Sequence, residues 1–260
     1  MKIGVGIITC NRQEFLNNLL TSILPCTDVN ELVIINDGLH IDNINYNKPY
    51  SYLHNDVNVG VAKSKNKAMQ HLLDTGCDYI FIIEDDMIIL DTAIFSKYIA
   101  AHKISGIHHF MFAYHGPANK GGISKGTPTP RKIIDYGSIQ IALNMHCVGA
   151  FCFYTRKCLV DVGLNDDEFL NAYEHVEHSY RLAKQGYSTP FWWWSDIADS
   201  LKYINEQACS EDSSSIRCRE DWWPNIRKAL DTFKLKHNYI PVHIPDTSLT
   251  TIINFLKQIK

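Results

Sequence analysis

Strand-length apolar runs and helix-spaced apolar positions alternate along the first hundred residues. Ile3–Ile8 is a continuous apolar and glycine run that predicts a buried strand, closed by the polar turn Thr9-Cys10-Asn11-Arg12. Phe15, Leu16, Leu19, Leu20 and Ile23 then recur at helical spacing up to Pro25. Asn11 with Glu14 three residues on has the spacing of a capping box. Glu31–Ile35 predicts a second strand, ending in Asn36-Asp37-Gly38, and Tyr50–Leu53 a short third. A helix is expected from Asn58-Val59-Gly60 through Ala62, Met69, Leu72 and Leu73, with Gly76 as its stop. Tyr79–Ile83 is the fourth strand, and Ile94, Phe95, Tyr98 and Ile99 mark the helix after it. This β-α-β-β-α-β-α order predicts an α/β fold with a mostly parallel sheet.

In such sheets ligands bind beyond the carboxyl ends of the strands. Three of those ends carry polar groups: Thr9 to Arg12, Asn36-Asp37, and Glu84-Asp85-Asp86. Three adjoining carboxylates repel one another. A divalent cation held by their oxygens is one resolution, and a solvated loop is the other. Polar groups converging from three strand ends favour the cation. No G-x-G-x-x-G follows the first strand and no G-x-x-x-x-G-K occurs, so dinucleotide and P-loop chemistry lose their main support.

The second half is less regular. Residues 103–130 are rich in Gly, His, Lys and Pro, and 115–126 read as a long mobile loop, slightly more in keeping with a surface excursion than with a lid or acceptor contact. Ile139–Met145 and Val148–Tyr154 predict strands. Phe169, Tyr173, Val176, Tyr180 and Ala183 space as the buried stripe of a helix, with Glu174, Glu177 and Arg181 on another face and His178 on a solvated one. In Phe191-Trp192-Trp193-Trp194, at least one indole is expected in the core and another is a candidate sugar platform. Residues 209–219 read as a polar loop, Trp222–Phe233 as a helix with Ile226, Ala229, Leu230 and Phe233 inward, and 252–260 as a short amphipathic helix packed on the domain.

Composition narrows the class. The 260 residues are 45% hydrophobic and 20% charged, ordinary for a globular protein, and they suffice for one large α/β domain. A net charge of -3 argues against a nucleic-acid partner. No apolar run is long enough to span a bilayer. The N-terminus lacks the pattern of a secretory signal, and the eight scattered cysteines make no C-x-x-C pair, which predicts reduced thiols in a cytoplasmic protein.

Four motifs in order carry a resemblance: Ile7-Ile8-Thr9-Cys10-Asn11-Arg12, Ile34-Ile35-Asn36-Asp37-Gly38, Asn58-Val59-Gly60 through Lys65-Asn66, and Glu84-Asp85-Asp86. Together they resemble a GT-A glycosyltransferase of the family 2 type, closely over the first hundred residues and more loosely to about residue 190. The acidic triplet stands where that family has its D-x-D motif. The resemblance implies a single catalytic domain with a nucleotide-sugar half (1–105), an acceptor half (106–208) and a C-terminal helical extension (209–260). It implies Mn²⁺ or Mg²⁺ on Asp86, bridging the phosphates of a nucleoside-diphosphate sugar, with UDP the usual carrier. Asp37 would accept a hydrogen bond from the base, and Thr9, Asn11, Arg12, Asn36 and Asn58 would line that pocket. Lys63 or Lys65 would lie near the diphosphate, and Glu84 or Asp85 would address the ribose. Asn36 and Glu84 stand where members commonly carry Asp.

The family's Gly-Ala step, followed by Arg-Lys-x-Leu-x-x-x-Gly, matches Gly149-Ala150 and Arg156 to Gly163 and makes Gly149 and Ala150 sugar-binding candidates. Trp193 and Trp194 join them as stacking candidates. The family's Glu-Asp pair, whose Asp is the usual base, corresponds to Glu174-His175. An inverting transfer needs a base for the acceptor hydroxyl, and the candidates rank Glu174, His175, Glu177. Asp196 and Asp199 are candidates for a further metal ligand, which stays unassigned. The reaction implied is metal-dependent, inverting sugar transfer to a glycan acceptor in surface polysaccharide, lipopolysaccharide or glycoprotein synthesis. The alternatives are a non-catalytic nucleotide- or glycan-binding protein on the same fold and transfer to a modified nucleic-acid base.

Overall fold

A computed structural model describes residues 1–207 and 220–259. Its centre is a six-stranded sheet in the order β3-β2-β1-β4-β9-β6. β1 (Ile3–Thr9), β2 (Glu31–Asn36), β3 (Ser51–His54) and β4 (Tyr79–Glu84) run parallel. β9 (Phe151–Thr155) runs antiparallel to β4, and β6 (His109–Met111) antiparallel to β9. Every residue of β1 is buried, as expected of a strand covered on both faces. Its two glycines have a packing reason. A Cβ on Gly4 would stand 2.6 Å from Cys77 Sγ, and one on Gly6 2.8 Å from Ala68 Cβ, so their absence lets helix α2 (Val61–Asp74) press directly on the strand.

α1 (Gln13–Ile23) buries Leu16, Leu19, Leu20 and Ile23, as its spacing predicts. It has no Asn11 capping box. Asn11 is left-handed (φ 57°), Arg12 is the N-cap residue without a side-chain cap, and Asn11 Oδ1 instead accepts from Leu39 N at 2.7 Å. The loop after β2 outcompetes the helix for that oxygen. α3 (Ile94–Ser105) covers the far side of the sheet, with Phe95 and Tyr98 packed against Phe81.

β5 (Met87–Ile89) pairs with β11 (Ile204–Glu206), and β7 (Lys132–Asp135), β8 (Gln140–Asn144) and β10 (Trp194–Ile197) form a second antiparallel sheet. β8 falls within the expected strand 139–145, whereas the other short strands of the second half and β5 were not legible in the pattern. β6 lies in the Gly-, His-, Lys- and Pro-rich stretch 103–130, ahead of the loop expected at 115–126, and Phe110 to Tyr114 are buried. α4 (Arg156–Val162) is capped by Thr155. α6 (Trp222–His237) packs through Ala229 and Phe233, and α7 (Leu249–Gln258) through Ile252 and Leu256. The expected polar loop at 209–219 lies outside the described residues. No helix among those described is long and apolar enough to cross a membrane.

α5 (Glu174–Lys184) corrects two expectations. It begins at Glu174 rather than near Phe169, and its buried face includes Glu174, Glu177, His178 and Ser179 beside Val176 and Leu182. Tyr180 and Ala183 are only half-buried. His178, expected on a solvated face, is fully buried and bonds Gly163 O at 2.9 Å. Polar side chains can face inward here because each has a partner.

Candidate active site

β1 and β4 lie side by side where the strand order reverses, which puts Thr9 and the acidic triplet at one crevice. Thr9 Oγ1 donates to Asp85 Oδ2 at 2.7 Å, and the Arg12 guanidinium binds Asp85 Oδ1 and, at 3.2 Å, Asp86 Oδ2. Asp85 is fully buried, and burial pushes its carboxyl up to about 7 against the opposing pull of Arg12 and Thr9. Asp86 goes the other way. Burial opposes its charge, but His115 and Arg12 outweigh it and hold the carboxyl down at about 2.

Asp86 Oδ1 is buried without a hydrogen-bond partner. His115 Nε2 stands 3.6 Å from it, in ion-pairing range but too far for a hydrogen bond, and 4.0 Å from Glu206 Oε2. Segment 115–126 is therefore not a mere surface excursion. Gly116 N donates to Glu206 Oε2 at 2.6 Å, Lys120 Nζ pairs with Glu206 Oε1 at 2.7 Å, and Asn119 Nδ2 binds the carbonyls of Ala113 and His146. His115 and Glu206 had no motif or spacing tying them to Asp86; only the paired β5 and β11 bring 206 next to 86. Among the described residues no three His, Cys, Asp or Glu are already arranged as a cation site.

A second cluster closes the loop between β2 and α2. Asp37 Oδ1 accepts from Asn55 Nδ2 (2.7 Å) and Val59 N (2.8 Å), and Oδ2 from Asn58 Nδ2 (3.0 Å) and Gly60 N (2.9 Å). A carboxylate has about four acceptor positions, and all are taken. Asp37, the expected acceptor for a nucleotide base, thus has its oxygens engaged within the protein and ties the start of α2 to the end of β2. The next two amides of the helix are also occupied, Val61 N by Asn171 Oδ1 at 3.1 Å and Ala62 N by Leu170 O at 3.2 Å. Gly60 makes this possible: its φ is 91°, and a Cβ would stand 2.8 Å from Leu170 O. Asn36 is fully buried, bonding Leu39 O, Tyr52 OH and Gly38 N, and Asn58 also donates to Asp37 O.

The third cluster joins the two halves of the chain. Lys65, expected near a diphosphate, is buried inside α2, with Nζ 2.7 Å from Glu84 Oε1, 3.1 Å from Glu174 Oε1 and 3.0 Å from Gly149 O. Burial works against the ammonium, but Glu84 and Glu174 more than reverse it and raise its pKa. Burial likewise penalises the Glu174 carboxylate, and Lys65 and His175 drive it well below the usual range. His175 Nδ1 lies 3.0 Å from Glu174 Oε1. Gly149 is the floor beneath that ring: a Cβ there would be 2.6 Å from His175 Cγ. Ala150 meets the acidic strand end through its carbonyl, which accepts from Glu84 N at 2.8 Å.

Other candidates lie elsewhere. Glu177 is bound by Arg181 Nε at 2.8 Å and His237 Nε2 at 3.1 Å, away from the Lys65 cluster. Lys63 is half-buried on the first turn of α2. Trp194 is a core side chain, and the Trp193 ring is buried with Arg131 stacked 3.8 Å above it, so neither offers an open face to a sugar. Asp196 is fully buried and holds Tyr98 OH, Ser200 Oγ and the amides of Ala113 and Ile197. Asp199 pairs with Lys202.

This is the GT-A fold, a mainly parallel sheet with helices on its faces and acidic residues at the crossover of strand order. No protein-family model matches the chain. An uncharacterized glycosyltransferase of Acanthamoeba polyphaga mimivirus is 24% identical over 231 residues, covering 83% of this chain and 85% of that protein. Among solved structures, S. aureus TarS 1-349 in complex with UDP-GlcNAc aligns over 100% of this chain and 71% of its own (TM-score 0.57, 13% identity). GalNAc-T7 with UDP, GalNAc and Mn²⁺ aligns over 100% of this chain (TM-score 0.57, 10% identity), and the Pyrobaculum calidifontis mannosyltransferase with GDP-Man and Mn²⁺ over 98% (TM-score 0.53, 10% identity). The chain spans 38% of a longer S. aureus TarS chain and 54% of GalNAc-T7.

Proposed function

We propose that the chain is a metal-dependent glycosyltransferase that moves a sugar from a nucleoside-diphosphate donor, UDP-linked in the first instance, to a hydroxyl of a glycan acceptor with inversion. The observation that carries this reading is Asp86 Oδ1, a buried carboxylate oxygen without a hydrogen-bond partner at the reversal of strand order, with His115 opposite. An orphaned buried anion is costly, and a hard divalent cation answers it. A carboxylate oxygen suits Mn²⁺ or Mg²⁺, with Asp86 as the residue to hold it and His115 beside it. When bound, such a cation supplies stabilisation of charge on the departing diphosphate. Arg12 adds fixed positive charge beside it, and Thr9 locks Asp85. The mimivirus relative's name, and the UDP-GlcNAc, UDP, GDP-Man and Mn²⁺ with which the structural neighbours are complexed, support the reading. Net charge -3 favours a glycan over a nucleic-acid acceptor.

The test is calorimetric titration of UDP and GDP with and without Mn²⁺, followed by a panel of UDP- and GDP-sugars. Asp86→Ala is expected to remove Mn²⁺-dependent nucleotide binding; unchanged binding refutes the metal assignment. One observation favours a second reading, a non-catalytic nucleotide-binding protein. Arg12 already contacts both Asp85 and Asp86, so the acids are partly neutralised without any metal. Nucleotide binding that ignores Mn²⁺, with no donor hydrolysis or transfer, would select that reading.

A further inference from the structure

Three carboxylate or imidazole groups compete for the role of proton acceptor, and their surroundings separate them. Glu177 is 1% exposed at its side chain and already engaged by Arg181 and His237. Glu174 is 5% exposed, and its Oε1 is shared by the Lys65 ammonium and the His175 ring. A carboxylate that stabilised is a weak base. His175 is the outermost of the three, with 24% of its side chain exposed. A carboxylate only accepts, so Nδ1 carries the hydrogen and donates it to Glu174, which leaves the lone pair on Nε2. Nε2 has no hydrogen-bond partner among the described residues. The backbone spends conformational freedom on this placement: Tyr173, just before the pair, is left-handed at φ 61°, and residue 149 must be glycine for the ring to fit.

We propose that His175 is the catalytic base, that Glu174 is a positioning residue that sets its tautomer, and that Lys65 and Gly149 hold the pair in place. The inference rests on the glycosyl-transfer reading. In the step, the acceptor oxygen forms a bond to the anomeric carbon and its proton passes to His175 Nε2. The bond from that carbon to the diphosphate oxygen breaks, and its electron pair leaves with the nucleoside diphosphate. The imidazolium is stabilised by the Glu174 carboxylate. The titratable and charged groups around the residue are Glu174 on α5, bonded to the ring, Lys65 on α2, bonded to Glu174, the Cys147 thiol between β8 and β9, against the His175 carbonyl, and buried His109 on β6, which interacts electrostatically with it.

The experiment measures kcat, donor KM and the pH profile of kcat/KM for the wild type, His175→Gln, Glu174→Gln, Glu174→Asp and Glu177→Gln, with ¹⁵N spectra of the His175 ring. His175→Gln is expected to lower kcat by on the order of 10²–10⁴-fold with donor KM little changed, and to abolish the acid limb of the profile. Glu174→Gln is expected to keep measurable turnover and to move that limb to lower pH by about one unit, because the lost carboxylate no longer favours imidazolium. Glu174→Asp restores part of that shift, and Glu177→Gln leaves the profile in place. The wild-type ring is expected to be protonated at Nδ1. Wild-type turnover lost in Glu174→Gln but retained with an unchanged profile in His175→Gln overturns the proposal, as does an Nε2-protonated ring. A wild type that binds nucleotide yet turns over no donor overturns the transfer reading, and the proposal with it.

Discussion

Replacing Lys65 by Met removes one charge and keeps most of the apolar stem. The ammonium is 4% exposed and serves Glu84, Glu174 and the Gly149 carbonyl. Without it, Glu174, 5% exposed at its side chain, keeps only His175. Glu84 is 24% exposed, so water screens it and its share is small. Stranding one partner of a buried pair costs about 3–5 kcal/mol. For a domain of this size each kcal/mol lowers Tm by roughly 2–4 °C, so a drop of about 6–20 °C is expected in thermal melts at pH 7.5. Adding Glu174→Gln removes the stranded charge and should return about half of the loss. The pH dependence has a definite sign. Glu174 is depressed, so its contribution is present above the ordinary carboxylate pKa near 4.3 and is lost as pH falls through the folded value. Lys65 is raised, so its contribution is present below about 10.4 and is lost as pH rises through its folded value. The gap between wild type and Lys65→Met should therefore be widest between about pH 5 and 10. A Tm within 2 °C of wild type, equivalent to about 1 kcal/mol or less, or a double variant less stable than the single, refutes the reasoning.

Asp37→Asn should destabilise by about 2–4 kcal/mol in urea melts whether or not nucleotide is present, because two backbone amides and two side-chain amides share its oxygens; weakened nucleotide binding at unchanged stability would return the residue to base recognition. Gly149→Ala should cut turnover by about 10²-fold while nucleotide binding by calorimetry persists, since the new methyl displaces the His175 ring by a good part of an ångström. His109 is buried between Phe153 O and Ser179 Oγ, and burial lowers its pKa to about 4. It contributes stability that is complete above the ordinary histidine value near 6.5 and is lost as pH falls toward 4, up to about 3 kcal/mol. His109→Asn should flatten the fall in Tm across that window relative to wild type, and an unchanged slope would exclude the imidazole as its source.

The long buried strands and α1 and α2 were readable because their apolar positions are uniform or strictly helical, and their ends came within a residue or two of the observed bounds. β5, β6 and β7 were not, since three or four residues carry too little periodicity and β6 begins with a histidine. α5 misled in a physical way. A spacing argument treats every polar residue as solvent-facing, whereas Glu174, Glu177 and His178 turn inward toward Lys65, Arg181, His237 and Gly163. The motifs located Thr9, Arg12, Asp37 and the acidic triplet at the strand ends. They could not show which atoms already have partners, as both oxygens of Asp37 do. Nor could they reveal that Lys65 meets a carboxylate 109 residues away or that His115 reaches Asp86.

The N-terminus of α2 has a consequence for order of events. Four consecutive amides that point at an anion in many nucleotide-binding helices are consumed internally here, two by Asp37 and two by Asn171 and Leu170. A diphosphate and the 170–171 segment are thus rivals for one end of one helix. Any phosphate that took those amides would first have to dislodge the segment that leads directly into Glu174 and His175, and binding there would move the pair with it.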